Sequence, residues 1–370
     1  MTRPARRRIF SSCDAAGLLR SPCFIPAVLA ALSLCADAGP RAGRPQLFRF
    51  SLARMGTVFN IALYHADPSA ASDAAMAAFE RVEQLEQIFI DYRGNSEVRR
   101  ICRDTAGIAR PVSPELFSVL ESSLRFSRMT RGAFDVTIGP LVQVWREARR
   151  AGKAPDAAQL ARARELVGYE YVLLDPEKRT VHLLLPGMRL DFGAIAKGYA
   201  ADEALKVLKS RGIQRALVDA GGDISIGAPP PGESGWSVAI RSGYEVSGTE
   251  GRLRLRDTAV ATSGDALQSA HLDGRRYSHI IDPATGKALR DSAAVTVIAR
   301  DGLTADALAT ALSVLPVDEG ISLVESVRGA SAVILRRNGD ELERRTSTGF
   351  PGVDPPRRTV GETSANRMKN

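Results

Sequence analysis

Four short stretches of this chain hold side chains whose types and spacing could do chemistry. Thr304-Ala305-Asp306-Ala307-Leu308-Ala309-Thr310 sets a carboxylate and a hydroxyl four residues apart. On a helix those positions share a face, so Asp306 and Thr310 offer two hard oxygen ligands of the kind Mg²⁺ takes. The same residues also read as a plain helix start, with Thr304 as N-cap and Asp306 as a first-turn acid. Asp191-Phe192-Gly193-Ala194-Ile195-Ala196-Lys197-Gly198-Tyr199-Ala200-Ala201-Asp202 runs from an extended segment into a helix N-terminus, a geometry that binds anions. There Lys197 could meet a phosphate and Asp191 could hold a ribose or adenine donor. A capped helix with Lys197 in solvent is the equal alternative.

Tyr277-Ser278-His279-Ile280-Ile281-Asp282-Pro283 reads as a strand entering a turn, with His279 on the face of Tyr277 and Ile281. A histidine beside a loop is suited to proton transfer near neutral pH, although a lone histidine is more often structural. In Gly132-Ala133-Phe134-Asp135-Val136-Thr137-Ile138-Gly139-Pro140-Leu141, glycines bracket an apolar segment with one acid. Such a loop lets backbone N–H groups approach a ligand, with Phe134 to pack a ring. Alternatively Asp135 closes a tight turn through its own backbone.

Familiar nucleotide and hydrolase motifs are missing: there is no GxxxxGK[ST], GxGxxG after a strand, GxSxG or HExxH. Histidine is scarce, with four in the chain, and no CxxC pair exists to build a cysteine-rich zinc or iron–sulfur site.

Among the elements that carry these stretches, Val58–Tyr64 alternates as a strand, and Asp67-Pro68 opens a helix whose apolar positions are Met76, Phe79, Val82, Leu85 and Phe89. Ser113-Pro114 opens a second helix with Leu116, Leu120 and Leu124 on one face. Further helices run from Pro140 past Trp145, over Asp156–Val167, over Ala194–Lys209 and from Thr304 to near Pro316. Strands are predicted at 171–174 and 181–185 as a hairpin, then at 216–218, 236–240, 252–255, 277–281, 295–298 and 332–335. Helices and strands interleave without a strict βαβ rhythm, so the fold class is α+β, with mixed sheets and packed helices.

The chain of 370 residues is 44% hydrophobic and 25% charged, the balance of an ordinary globular protein. Its net charge of +8 is uneven: five arginines against Asp14 put half of it into the first 35 residues. No basic run interleaved with aromatics supports nucleic-acid binding. Residues 1–38 read as an export signal, with a basic start, an apolar stretch from Cys23 to Cys35 and small residues at Ala36 and Ala38. The alternative is a leader that stays attached. Arg7-Arg8 resembles a twin-arginine signal, and Leu32-Ser33-Leu34-Cys35 a lipobox in which Leu34 stands where a small residue is usual. Residues 39–50 read as a linker and 351–370 as a disordered tail.

Taken in order, the blocks resemble the FAD:protein FMN transferase family, ApbE. The resemblance rests on Met55-Gly56-Thr57, Asp91-Tyr92 to Ser96-Glu97, Ala133-Phe134-Asp135, Lys197-Gly198-Tyr199, Ala220-Gly221-Gly222-Asp223, Ala261-Thr262-Ser263-Gly264, His279 to Pro283 and Thr304 to Ala307. It covers residues 51–350 and implies an ApbE-like fold of two intimately packed lobes. It implies Mg²⁺-dependent transfer of FMN from FAD to a threonine of an acceptor flavoprotein, through a phosphoester bond, with AMP released. Carried over by motif, Met55, Tyr92, Ala133, Phe134, Asp135, Asp191, Lys197 and Ile280 touch FAD. Asp306, Thr310 and the Ala194 carbonyl bind the metal, and His279 acts in catalysis, with Asp306 as the alternative base. Where some members have Asp before the metal-binding Thr, this chain has Ala309, which leaves a coordination position to water.

The resemblance further implies a periplasmic protein, tethered through its N-terminus, whose acceptor belongs to a membrane-associated redox complex. Two other readings of the same site stand beside transfer. One is an FAD pyrophosphatase giving FMN and AMP. The other is a non-catalytic flavin-binding assembly factor for a respiratory enzyme of the nitrous oxide reductase type.

Overall fold

The computed structural model describes residues 44–91, 94–104, 107–241, 249–264, 269–290, 293–338 and 341–353. The export signal, Tyr92 and all but the first three residues of the predicted tail lie outside them. In chain order the elements are β1 (Gln46–Arg54), β2 (Thr57–His65), α1 (Pro68–Phe89), α2 (Glu97–Asp104), β3 (Arg110–Pro111), α3 (Pro114–Met129), α4 (Gly139–Ala151), α5 (Ala157–Arg164), β4 (Val172–Asp175), β5 (Thr180–Leu183), α6 (Ala196–Ser210), β6 (Ala216–Ala220), β7 (Asp223–Ile226), β8 (Trp236–Arg241), β9 (Thr249–Leu255), β10 (Thr258–Gly264), β11 (Ser269–Leu272), β12 (Arg275–Ser278), β13 (Ala293–Ala299), α7 (Gly302–Val314), α8 (Val317–Ser326), β14 (Ser331–Asn338) and β15 (Glu341–Thr346). Helices and sheets are segregated in the α+β manner.

The main sheet has eight strands in the order β1-β2-β6-β7-β10-β13-β14-β15, and its ladders are antiparallel. Its first strand corrects the linker expected over 39–50. Leu47, Phe48 and Phe50 pair with Tyr64, Leu63 and Ile61 of β2, so the sheet begins at Gln46. From Phe59 to Tyr64 β2 alternates fully buried and half-buried positions, in keeping with the alternation of its sequence. Phe59, Ile61 and Leu63 point into the large core under the helices, while Ala62 and Tyr64 meet the ribbon made by β8 and β9 on the other side.

Asp67 and Ser113 cap their helices as the sequence predicts, accepting the Ser69 N–H at 2.9 Å and the Leu116 N–H at 3.2 Å. The buried stripe of α1 differs from the expected one. Met76 is 46% exposed, and the stripe is instead built on Ala71, Ala74, Ala75 and Ala78, with Phe79, Val82, Leu85 and Phe89. Small side chains there let α6, itself lined by Ala196, Gly198, Ala200, Ala201 and Ala204, pack closely on α1. Helix α7 packs on α6, β10 and β13 within the same core.

A second, smaller cluster lies apart from this core. Leu141, Trp145 and Ala148 of α4 and Ala163 of α5 pack on Leu272, Tyr277, Ile281 and Ala288, around the ribbon of β11 and β12.

Candidate active site

The densest polar geometry forms where α6 meets α7. Gly198 and Gly302 face each other so closely that a Cβ on Gly198 would stand 2.0 Å from the Gly302 carbonyl oxygen. This contact brings Asp306 onto the start of α6, where its Oδ2 accepts the Gly198 N–H at 3.2 Å. In an uninterrupted helix that N–H would go to the Ala194 carbonyl. Its diversion leaves the Ala194 oxygen without a hydrogen-bond donor among the described residues. Lys197 completes the group: its Nζ is ion-paired with Asp223 and lies 3.5 Å from Asp306 Oδ2.

Asp223 reaches this position through a tight turn. Gly221 and Gly222, at φ +75° and +110°, link β6 to β7, and the Gly222 N–H is held by Asp219 Oδ1 at 2.8 Å. A Cβ on Gly221 would fall 2.1 Å from Thr57 Oγ1, so the Met55-Gly56-Thr57 and Ala220–Asp223 blocks are in direct contact. Asp223 and Asp306 are each 4% exposed. Burial and the neighbouring charge of Asp223 push the Asp306 carboxyl up to about 7, against the pull of Lys197. Burial alone would lower the Lys197 ammonium, but the charges of Asp223 and Asp306 outweigh it and hold its pKa raised.

The oxygen donors here suit a hard cation. The Asp306 carboxylate, the half-buried Thr310 one turn later and the open Ala194 carbonyl are the residues present. Among the described residues no cluster of three or more His, Cys, Asp or Glu exists. A set poor in charged ligands fits Mg²⁺, which keeps several waters. Ala309, beside Thr310, is 1% exposed in the main core and offers no ligand. The helix also starts earlier than expected: Asp301, not Thr304, is the N-cap and accepts the Thr304 N–H at 2.7 Å. Asp306 therefore lies in the second turn, with its carboxylate engaged across the helix pair rather than at the helix end.

His279 stands on different supports. Strand β12 ends at Ser278, so His279 leaves the strand and does not share its face with Tyr277 and Ile281 by alternation. Ser278 Oγ accepts the Ile280 N–H at 3.1 Å, and the Leu289 N–H reaches the Ile280 carbonyl at 2.9 Å. Arg149 of α4 donates to the Ser278 carbonyl at 3.2 Å, and Trp145 Nε1 donates to the Gly286 carbonyl at 2.9 Å. Half-buried His279 is thus carried by a hairpin braced against α4.

The other expected flavin contacts divide. Ala133 lines a cavity of about 770 Å³ together with Gly132, Asp282, Ala284, Val314 and Leu315. That cavity joins two of the sequence blocks but touches neither Lys197 nor Asp306, so it is the polar geometry that marks the chemistry. Phe134, expected to offer a ring, is 2% exposed and packs edge-on against Phe126, and Met55 and Ile280 are also buried. Asp135 is occupied by the protein itself: Oδ1 accepts the Thr137 N–H and hydroxyl, and Oδ2 accepts the Tyr169 N–H at 3.0 Å. Burial pushes its carboxyl up to about 6 against those donors. Asp191 pairs with Arg146 at 3.1 Å, and Arg146 also holds Asp91, the residue before Tyr92. Burial, and then the charge of Asp91, raise Asp191, while Arg146 opposes both.

Asp223, Asp202, Arg146 and Gly302 carry this geometry without having been singled out from sequence. Asp223 and Asp202 sit inside quoted blocks, and a glycine one turn before Asp202 on a helix was the available sign of a close helix contact.

The profile described as the ApbE family matches residues 55–335. The FAD:protein FMN transferase of Vibrio cholerae is 32% identical over 301 residues, which cover 80% of this chain and 89% of that protein. The protein of that name from Klebsiella pneumoniae is 30% identical, covering 80% and 91%. Among solved structures, the flavin transferase ApbE from Vibrio cholerae superposes with a TM-score of 0.73 at 28% identity, over 83% of this chain and 98% of that one. The apbe protein from Thermotoga maritima gives 0.73 at 29% identity, over 82% and 97%.

Proposed function

This chain belongs to the ApbE family, and from that premise we propose that it moves FMN from FAD to a threonine hydroxyl of an acceptor flavoprotein, with Mg²⁺ bound and AMP released. It is an enzyme, an FAD:protein FMN transferase. The observation that carries the finer reading is the junction of α6 and α7, where Lys197, Asp223, Asp306, the Gly198 N–H and the open Ala194 carbonyl converge.

In the reaction, the threonine oxygen forms a bond to the phosphorus on the FMN side of the FAD pyrophosphate. The bridging P–O bond breaks, and AMP leaves with the bridging oxygen. Charge builds on the non-bridging oxygens, and donors already in place stabilise it without reorganising. Lys197, kept protonated by Asp223 and Asp306, supplies a positive charge at the start of α6. Mg²⁺ held by Asp306, Thr310 and the Ala194 carbonyl would supply Lewis-acid stabilisation of the same oxygens. His279, on its braced hairpin, takes the threonine proton. Asp191 and the Ala133 loop hold the FAD, with Asp191 oriented by Arg146. Export through residues 1–38 places the protein in the periplasm, beside the membrane complex that contains its acceptor.

Incubation of the protein with FAD, Mg²⁺ and an acceptor domain, read by mass spectrometry, tests this. Protein-bound FMN with one AMP per transfer is the expected result. Free FMN and AMP would make the enzyme a pyrophosphatase, and unchanged FAD would make the protein a flavin binder.

A further inference from the structure

Helix α7 begins on a carboxylate that belongs to another helix. The Gly302 N–H lies 2.9 Å from Oδ1 and 2.8 Å from Oδ2 of Asp202, and the Leu303 N–H donates to Oδ2 at 3.1 Å. Ser225 of β7 donates its hydroxyl to Oδ1 at 2.6 Å. The side chain of the helix's own N-cap, Asp301, accepts the Thr304 N–H. Asp202 follows Gly198 by one turn of α6 and lies on the same face. That face is where the backbones touch: a Cβ on Gly302 would stand 2.5 Å from the Gly198 carbonyl oxygen.

We infer that Asp202 is a positioning residue that sets where α7 starts, and thereby where its metal-binding face meets α6. Asp306 is one turn beyond Gly302 and reaches the Gly198 N–H, one turn before Asp202. The two carboxylates therefore lace the same pair of helices in opposite directions. Asp202 on α6 holds the first N–H groups of α7, and Asp306 on α7 holds an N–H at the start of α6. A charged acceptor of several N–H groups at a helix start is both strong and directional. With Asp202 neutralised, α7 loses the contact that fixes its depth and rotation against α6. Asp306 and Thr310 then lose their register with the Ala194 carbonyl. Groups that orient metal ligands typically account for about 10- to 100-fold in metal affinity.

The inference rests on the metal reading of this site, and binding of Mn²⁺ alone, followed by electron paramagnetic resonance on the full chain without FAD, tests the two separately. Asp202→Asn should weaken Mn²⁺ binding about 10-fold or more. Its rate of FMN transfer should recover when Mg²⁺ is raised, so the loss appears in the metal requirement rather than in the rate at saturation. Ser225→Ala, which leaves Asp202 in place but removes one of its donors, should shift Mn²⁺ binding in the same direction by a few-fold. A purely structural role would lower the melting temperature and leave Mn²⁺ affinity unchanged. That result in Asp202→Asn overturns the inference, and if Asp202→Asn does not fold, the same result in Ser225→Ala overturns it. A wild-type protein that binds no Mn²⁺ and needs no metal for transfer overturns the metal reading itself.

Discussion

The two halves of the candidate site are built to different standards of rigidity. Lys197, Asp223 and Asp306 stand on two helices whose backbones touch at Gly198 and Gly302 and on a strand in the middle of an eight-stranded sheet, elements that pack in the main core. His279 and Ile280 ride on a hairpin held by the small cluster around Leu141, Trp145 and Tyr277. Close-packed interiors respond to the loss of one methylene, whereas small satellite clusters have fewer neighbours to enforce a position. The division suits the chemistry. In the proposed transfer, the groups that stabilise charge must be preorganised, while the segment proposed to take the proton has to admit the acceptor.

The largest effect should come from the core half. Asp306→Ala removes the carboxylate that faces Lys197 and the Gly198 N–H, and FMN transfer should slow about 10³-fold, equivalent to several kcal/mol of transition-state stabilisation. Melting temperature should move by only a few degrees, since Lys197 keeps Asp223 as its partner. Initial rates across a Mg²⁺ titration check this, and a rate within tenfold of wild type would erase the contrast between the halves. Gly198→Ala attacks the same half through packing. Its Cβ cannot fit 2.0 Å from the Gly302 oxygen, and overpacking against backbone should cost about 3 kcal/mol, read as a shift in the urea midpoint. Gly152→Ala, where the difficulty is a positive φ (+68°) with open space around it rather than a close backbone, should cost about 1 kcal/mol.

On the hairpin half, His279→Gln should fold normally and bind FAD, yet transfer FMN about 10²-fold more slowly, the lower end of what a positioned base contributes. The wild-type rate should rise with pH as the base loses its proton, and the variant should lack that rise. A near-wild-type rate with the same pH profile would reduce His279 to a brace.

The loop that leads into α4 gives a pH test of stability. Burial holds Asp135 at about 6 in the folded protein, above its ordinary 3.8. The folded state then binds the proton more tightly than the unfolded one between those values, so stability falls as pH rises from 4 to 6. The contribution should be about 2 kcal/mol, and it should vanish in Asp135→Asn. Urea midpoints at pH 4.5 and 6.5 for both proteins measure it. Equal slopes would mean that water reaches this carboxylate.

Much of this was legible before the structure because the blocks are local. Asp67, Ser113 and Asp156 announce their helices, and the glycines bracketing 132–139 mark a turn. What stayed hidden is non-local. Nothing near Gly302 in the chain reveals that Gly198 lies against it, so Thr304 passed for the N-cap and Asp306 for a first-turn acid. Phe134 looks like a stacking ring until Phe126 from α3 is placed beside it. Gln46–Phe50 looks like linker because the proline and arginines before it dominate, and only pairing with β2 makes it a strand.

The smallest effect sharpens the comparison most. Trp145 Nε1 donates to the buried Gly286 carbonyl at 2.9 Å, and its ring lies 5.1 Å from that of Tyr277 at 45°. Trp145→Phe keeps a ring against Tyr277 but leaves the carbonyl without that donor. A lost buried hydrogen bond costs about 1 to 2 kcal/mol, which for a chain of this size lowers the melting temperature by roughly 1 to 3 °C. If the hairpin is held mainly by this cluster, the loss should also loosen His279. The rate at saturating FAD and Mg²⁺ should then fall a few-fold, and the Mg²⁺ concentration for half-maximal rate should stay as in wild type. The metal requirement should not move because the groups Trp145 bonds and packs on belong to the hairpin cluster rather than to α6 or α7. A shift in that requirement would show that the two halves are one mechanical unit, and the contrast between a rigid charge-stabilising half and a compliant proton-accepting half would have to be abandoned.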